Sequence, residues 1–382
     1  MIPANIEDLR AEAQRRLPRM MFGYVDGGSY SERTVRANTA DFNDWNLQQR
    51  VLVDITKRDL STTIMGQPSA MPFMLGPTGF AGLLARRGEA QAARAAAAAG
   101  IPFALSNAAI CGVDEVSAAS SRPIWYQLYC MRDAGINRAI MDRAAAAKCP
   151  VLVLTVDASL LAKRERDVRN NFITSPKLSA RQMLDFALHP RWALDIGLGP
   201  KPVFGNLKDL PGAGSDIFAQ ANFVGGQMDL SLTWRDAAAI RAHWKGKLVI
   251  KGIMNVADAH AAVAAGADGI VVTNHGGRQL DGAVSSIRML PEIVDAVGHK
   301  VEVLFDGGIR RGQHIAIALA LGAHACLIGR AFLYGLGARG QAGVALAIEM
   351  LRSELDITMG LMGVTSIDQI RGKAADLLIP AG

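Results

Sequence analysis

The run Gly269-Ile-Val-Val-Thr-Asn-His-Gly-Gly-Arg-Gln-Leu-Asp281 opens as a short apolar strand and breaks at once into a glycine-paired turn carrying an imidazole and a guanidinium. A strand with no polar alternation belongs in a sheet covered on both faces, as parallel strands wrapped by helices are. Seven further runs of this kind occur, at 71–75, 101–105, 124–128, 151–156, 248–251, 301–305 and 325–328. Helical stretches at 89–99, 133–147, 256–265, 287–297 and 312–321 separate most of them. Eight strand–helix units in series predict an α/β protein with a (β/α)8 TIM barrel; an open doubly wound sheet is the weaker alternative. The chain is expected to form one domain, 1–382. An N-terminal helical cap covers about 1–70, with 17–24 nearest the barrel. The strand spacing fails over about 165–247, which predicts a long insertion after strand four.

Composition narrows the function. Cys111, Cys130, Cys149 and Cys326 are far apart and form no Cys-x-x-Cys pair, so neither a disulfide framework nor a metal site is expected. A reducing, cytoplasmic compartment suits them. The first 17 residues carry charges throughout and read as an amphipathic helix, not a signal peptide. The net charge of +6 is spread among acids along the chain, which excludes the basic stripe of a nucleic-acid partner. The insertion balances its Lys and Arg against Asp, yet carries Phe186, Trp192, Leu194, Phe204 and Phe218. It is therefore expected to be a lid, a subunit contact or a peripheral membrane contact on the inner face of the cytoplasmic membrane.

In a barrel of this kind, chemistry sits at the carboxyl ends of the strands. The glycine turns Asp306-Gly307-Gly308 with Arg310, and Gly329-Arg330, follow the last two strands and combine exposed N–H groups with positive charge, as a phosphate cradle does. Lys251 ends an apolar strand, so its ammonium is expected inside the mouth, either as a Schiff-base lysine or as a cation facing developing negative charge. His275 is the candidate base, since imidazole titrates near neutrality; Asp157, at the end of strand four, is placed to orient it. Arg278 and Arg164 suit a carboxylate, while Tyr24 and Tyr129 offer phenolic hydrogen bonds. The paired glycines allow His275 and Arg278 to address one small molecule. Gly335-Leu-Gly-Ala-Arg-Gly340 has dinucleotide-motif spacing but opens no βαβ unit and is rejected as one.

Together, Asn274-His-Gly-Gly-Arg-Gln-Leu-Asp281, Tyr126-Gln-Leu-Tyr129, Leu154-Thr-Val-Asp157, Val249-Ile-Lys-Gly252 and Asp306-Gly-Gly-Ile-Arg310 resemble the FMN-dependent 2-hydroxy-acid dehydrogenase and oxidase family over nearly the whole chain. That family includes glycolate oxidase, L-lactate dehydrogenase and (S)-mandelate dehydrogenase. The resemblance implies FMN as cofactor and oxidation of a small (S)-2-hydroxy acid. It places the isoalloxazine against Pro77, Thr78, Gly79, Ser106, Gln127, Thr155, Lys251 and Thr273, where the family usually has serine at Thr273. It assigns the ribityl and phosphate to Asp306, Gly307, Gly308 and Arg310 with Gly329 and Arg330. The substrate carboxylate falls to Arg164, Arg278 and Tyr24, its hydroxyl to Tyr129, and the base is His275. Gly76-Pro-Thr-Gly79, Lys163-Arg-Glu-Arg-Asp167 and Leu188-His-Pro-Arg-Trp192 look like the mandelate-oxidising members, which implies electron transfer to a quinone in place of O2 with release of H2O2. The family is also commonly homotetrameric. A Lys251 aldolase and a non-catalytic flavin-binding barrel are the rivals from other classes.

Overall fold

The computed structural model describes residues 2–172 and 178–381. All eight expected strands are present: Phe73–Leu75, Ala104–Ser106, Trp125–Tyr129, Val151–Thr155, Lys247–Ile253, Gly269–Val272, Glu302–Asp306 and Ala325–Ile328. Consecutive strands pair in parallel, and the eighth pairs with the first through Cys326–Phe73, Leu327–Met74 and Ile328–Leu75. A parallel bridge between Leu75 and Phe103 joins first to second and closes the barrel. The two-residue side-chain period then divides each strand. Met74, Trp125, Val153, Val249, Val271 and Leu304 fill the interior, whereas Leu105, Leu128, Leu154, Ile250, Ile270 and Phe305 pack outward against the helices.

The amino end is plugged by a hairpin, Thr62–Ile64 with Gln67–Ser69, whose Ile64 and Met65 join the inner cluster. The Met65 N–H donates to Glu302, and the Trp125 indole donates to Gln67. Three-residue strands fall below what apolar periodicity registers, so this hairpin leaves no mark in the sequence pattern. At the opposite end the cap helices Ile6–Arg16, Arg19–Asp26 and Arg33–Ala40 come together. The Asn5 side chain accepts from the Asp8 N–H and caps the first.

The extra chain after strand four is shorter than the expected 165–247. Helix Trp234–His243 buries Ala237 and Ile240 in the main core and serves as the outer helix before strand five, so the added segment ends near Thr233. Within it lie helices Glu165–Arg169, Ala180–Ala187, Pro190–Gly197 and Ile217–Gln227. Ser179 and Gln182 form a capping box on the second. Positions 173–177, which fall inside the expected insertion, lie outside the described residues.

The Gly335–Arg339 stretch is helical, and Gly340 caps it. It belongs to Arg330–Arg339, and a Cβ on Gly335 would stand 2.2 Å from the Gly343 carbonyl oxygen of helix Gln341–Leu361. Its glycines thus serve a close helix crossing.

Candidate active site

The carboxyl ends of the strands open into a cavity of about 350 Å³ between barrel, cap and insertion. Its lining includes Pro77, Thr78 and Gly79; Tyr24, Tyr129 and Arg164; Lys251, His275 and Arg278; and the last two turns, Asp306, Gly307, Gly308, Arg310, Gly329 and Arg330. Ser106, Gln127, Thr155, Asp157 and Thr273 stand behind this lining.

The left-handed turn expected at the double glycine begins one residue earlier. His275, Gly276 and Gly277 have φ of 59°, 64° and 74°. A side chain at Gly277 would meet the Val35 amide at 2.6 Å. A non-glycine residue in this region is strained by about 1–2 kcal/mol, and two contacts hold His275 there. Its N–H donates to Thr273 Oγ1 at 3.1 Å, and its Nδ1 lies 2.9 Å from Asp157 Oδ1. The ring is nearly parallel to Tyr129, 6.5 Å between centroids. Burial lowers the His275 pKa from its usual value, Asp157 opposes the shift, and nearby Lys251 adds to it. For Asp157, burial is outweighed by His275 and Lys251, and its pKa falls. An imidazole that must be neutral to accept a proton therefore stays competent below its ordinary titration range. Accordingly kcat/KM should rise with pH through an apparent pKa below the ordinary imidazole range; an acid limb centred above that range would contradict the assignment.

Strand five carries a bulge at Lys251-Gly252-Ile253, where Gly252 has φ 117°. A Cβ there would lie 2.7 Å from that of Asp157, so the bulge lets strands four and five approach closely. Lys251, 4% exposed, pairs with Asp306 at 3.2 Å. Attack on a carbonyl would require it to give up that partner, which weighs against the aldolase reading.

Neighbouring strands hold unused polar atoms behind the cavity lining. Gln127 accepts from the Ser106 hydroxyl at 2.8 Å, leaving its Nε2 buried, and Thr155 Oγ1 is likewise buried; neither has a partner among the described residues. Buried donors without partners are costly and rare. Together with Lys251 they form a polar edge fitted to the heteroatoms of a planar ring system. Thr273 differs, since its hydroxyl donates to Asp306 Oδ2 at 3.0 Å while accepting from His275. At the other end, Gly329 caps helix Arg330–Arg339, and no heavy atom lies within 4 Å of where its Cβ would be. Open space, a helix N-terminus and the Arg310 side chain suit a phosphate there. Arg330, expected on the phosphate, also holds the cap in place. Its Nε, Nη1 and Nη2 donate to the carbonyls of Val25, Gly276 and Gly27, tying the cap to the His275 turn.

Arg278 is anchored in the same way. Its Nη1 donates to the Tyr24 and Gly27 carbonyls at 2.5 and 2.9 Å and its guanidinium sits 4.6 Å from the Tyr24 ring centroid. Its Nη2 is buried without a partner among the described residues. Beside it, Arg164 donates to the Arg278 carbonyl at 3.4 Å; burial first, then Arg278, push its pKa down to about 10. Two crowded guanidinium groups, one with its buried Nη2 unused, suit an anion. Burial raises the pKa of Asp167, a cavity carboxyl two residues into the helix that follows Arg164, which strand-end reasoning does not single out.

Other wall residues carry no sequence signal either. Phe172 stacks on Tyr24 at 4.5 Å, Phe80 meets both edge-on, and Phe204 and Met228 come from the insertion. Within 107–110, next to the end of strand two, Ala108 lines the cavity, while Asn107 is bonded to the Tyr126 hydroxyl. Trp192 and Phe204, expected as docking residues, are buried at 6% and 2% exposure.

A barrel whose last two turns suit a phosphate, with unused polar atoms behind the cavity lining and a His–Asp pair near two crowded guanidinium groups, defines a flavin oxidoreductase site. The chain belongs to the FMN-dependent dehydrogenase family, whose model matches residues 13–377, and FMN is its cofactor. It is 47% identical over 371 residues to an L-lactate dehydrogenase of Caulobacter vibrioides, covering 97% of each chain. An L-lactate dehydrogenase of Xanthomonas oryzae is also 47% identical, over 98% of this chain and 96% of the relative. Among solved structures, the monotopic membrane protein (S)-mandelate dehydrogenase superposes with a TM-score of 0.95 at 38% identity over 100% of both chains. A soluble mutant of the membrane-associated (S)-mandelate dehydrogenase from Pseudomonas putida gives 0.84 at 35% identity over 99% of both.

Proposed function

We propose that this protein oxidises an (S)-2-hydroxy acid of the lactate or mandelate type to the 2-keto acid, the entire chain 1–382 acting as one catalytic domain. The observation that carries this reading is the Arg278 Nη2, without a partner among the described residues, in the same cavity as His275, which Asp157 backs. Arg278, with Arg164 and the Tyr24 hydroxyl, grips the carboxylate. That grip fixes the 2-hydroxyl carbon before His275, which takes a proton from the substrate while Asp157 stabilises the resulting imidazolium. Tyr129 offers a neutral hydroxyl to the substrate oxygen, because burial pushes its pKa well above the usual phenol range. FMN, when bound, supplies the acceptor for the two electrons. Gln127, Thr155 and Lys251 hold the polar edge of its ring with Ser106 and Thr273 behind. The backbone of Pro77, Thr78 and Gly79 supports one face, and Asp306, Gly307, Gly308, Arg310, Gly329 and Arg330 take the ribityl phosphate.

The electrons pass to a membrane quinone. Met183, Leu184, Leu188, Leu194 and Leu198, on and beside helices Ala180–Ala187 and Pro190–Gly197, are all more than half exposed, an apolar surface suited to the lipid interface. No helix among the described residues is long and apolar enough to cross a membrane. The proposed contact is peripheral, at the cytoplasmic face, and the proposed assembly a homotetramer. Wild-type protein should sediment with anionic lipid vesicles and turn over faster with a quinone than with O2. Leu184→Glu combined with Leu194→Glu should release it from vesicles. Rapid O2 turnover yielding H2O2, with vesicle binding unaffected by the double substitution, would favour a soluble oxidase.

A further inference from the structure

His314 has no part in the proton transfer, yet it touches the phosphate end of the site. It occupies the first turn of helix Gly312–Ala320, immediately after the Asp306–Arg310 turn. Its Nδ1 accepts from the Arg310 backbone N–H at 3.2 Å, so that nitrogen carries no proton. The Gly308 backbone is the ring's other polar neighbour. The imidazole lies flat on Phe42, 4.3 Å away and tilted by 6°, and Phe42 meets Phe305 of strand seven edge-on. From the cap side the same turn is confined by Asn38, whose carbonyl oxygen would stand 1.8 Å from a Cβ on Gly308. Burial and the neighbouring Arg310 push the imidazole down to about 4, which keeps it neutral and accepting at physiological pH.

We infer that His314 is a positioning residue for the FMN phosphate: by occupying the Arg310 N–H and stacking on Phe42 it sets the backbone from which the Arg310 guanidinium enters the cavity. Two details support this. Arg310 lines the cavity and its Nη1 folds back to the Ile309 carbonyl at 2.8 Å, so its direction depends on the local backbone. The Arg310 N–H, committed to His314, is also unavailable to a ligand, which leaves the charge of the side chain as that residue's contribution.

The inference rests on Asp306–Arg310 being the phosphate cradle, so the test separates the two claims. FMN release from diluted holoenzyme is followed by recovery of flavin fluorescence, and the same protein reloaded with riboflavin gives its preference for the phosphate. His314→Leu should weaken FMN roughly tenfold while changing riboflavin far less, since only the phosphate end loses its support. His314→Asn, whose Oδ1 falls near the Nδ1 position, should restore near-wild-type retention. Should the leucine variant not fold, His314→Gln, with its carbonyl one bond further out, should show the same selective loss. Wild-type FMN preference in the Leu or Gln variant, beside a lost preference in Arg310→Met, would overturn the role of His314. An unchanged preference in Arg310→Met as well would overturn the cradle and this inference with it.

Discussion

His275→Gln should remain yellow and lose flavin reduction by a 2-hydroxy acid by about 10² to 10⁴ or more, the usual contribution of a positioned base. Glutamine is close in size and can still bond Asp157, which lies 2.9 Å from the native imidazole. What it lacks is a basic nitrogen able to take up a proton. The loss should appear in kcat and kcat/KM alike, because the proton moves on the way to the transition state and not on binding. FMN retention should change little, since the atoms assigned to the cofactor lie on Gln127, Thr155, Lys251 and the last two turns. Stopped-flow bleaching at the wild-type rate would show that some other group is the base.

The second large effect is expected at Arg278. Its Nη1 makes two hydrogen bonds to cap carbonyls, and its Nη2 has no partner among the described residues. On the proposed reading, Arg278→Met deletes the buried, charge-assisted contact of Nη2 with the substrate carboxylate and leaves Arg164 and the Tyr24 hydroxyl to hold it. Truncating one partner of such a pair typically costs about 2–5 kcal/mol, so kcat/KM should fall by about 30- to 5,000-fold. KM should rise and kcat fall together, because a carboxylate without its Arg278 contact is held more loosely and no longer fixes the carbon before His275. Arg278→Lys should recover only part, for an ammonium cannot reproduce the planar fork. Steady-state constants within twofold of wild type would remove Arg278 from the substrate site.

The barrel is legible in the sequence because its strands are apolar on both faces and each ends abruptly in polar residues. That one feature brings Asp157 and His275 together across 118 positions of sequence. Boundaries fail where the signal has two causes. Helix Trp234–His243 looks like insertion because the stretch before it has already broken the spacing. The hairpin at Met65-Gly66 is too short to show any period. Phe204, Phe172 and Met228 are unreadable as cavity wall, because an apolar side chain looks the same in sequence whether it faces lipid, a ligand or the core. Arg330 shows the converse limit: its charge and position imply an anion, whereas three of its donors already serve backbone carbonyls. His314 lies on a helix away from any strand end, and only its fold-back onto the Arg310 amide shows its connection to the site.

The most direct measurement is anaerobic. Protein as purified should carry stoichiometric FMN absorbance, and addition of L-lactate or (S)-mandelate without O2 should bleach it with one equivalent of 2-keto acid formed, the opposite enantiomers being inert. A coloured protein that no 2-hydroxy acid bleaches, or one that neither contains nor takes up FMN, would contradict the account at its centre.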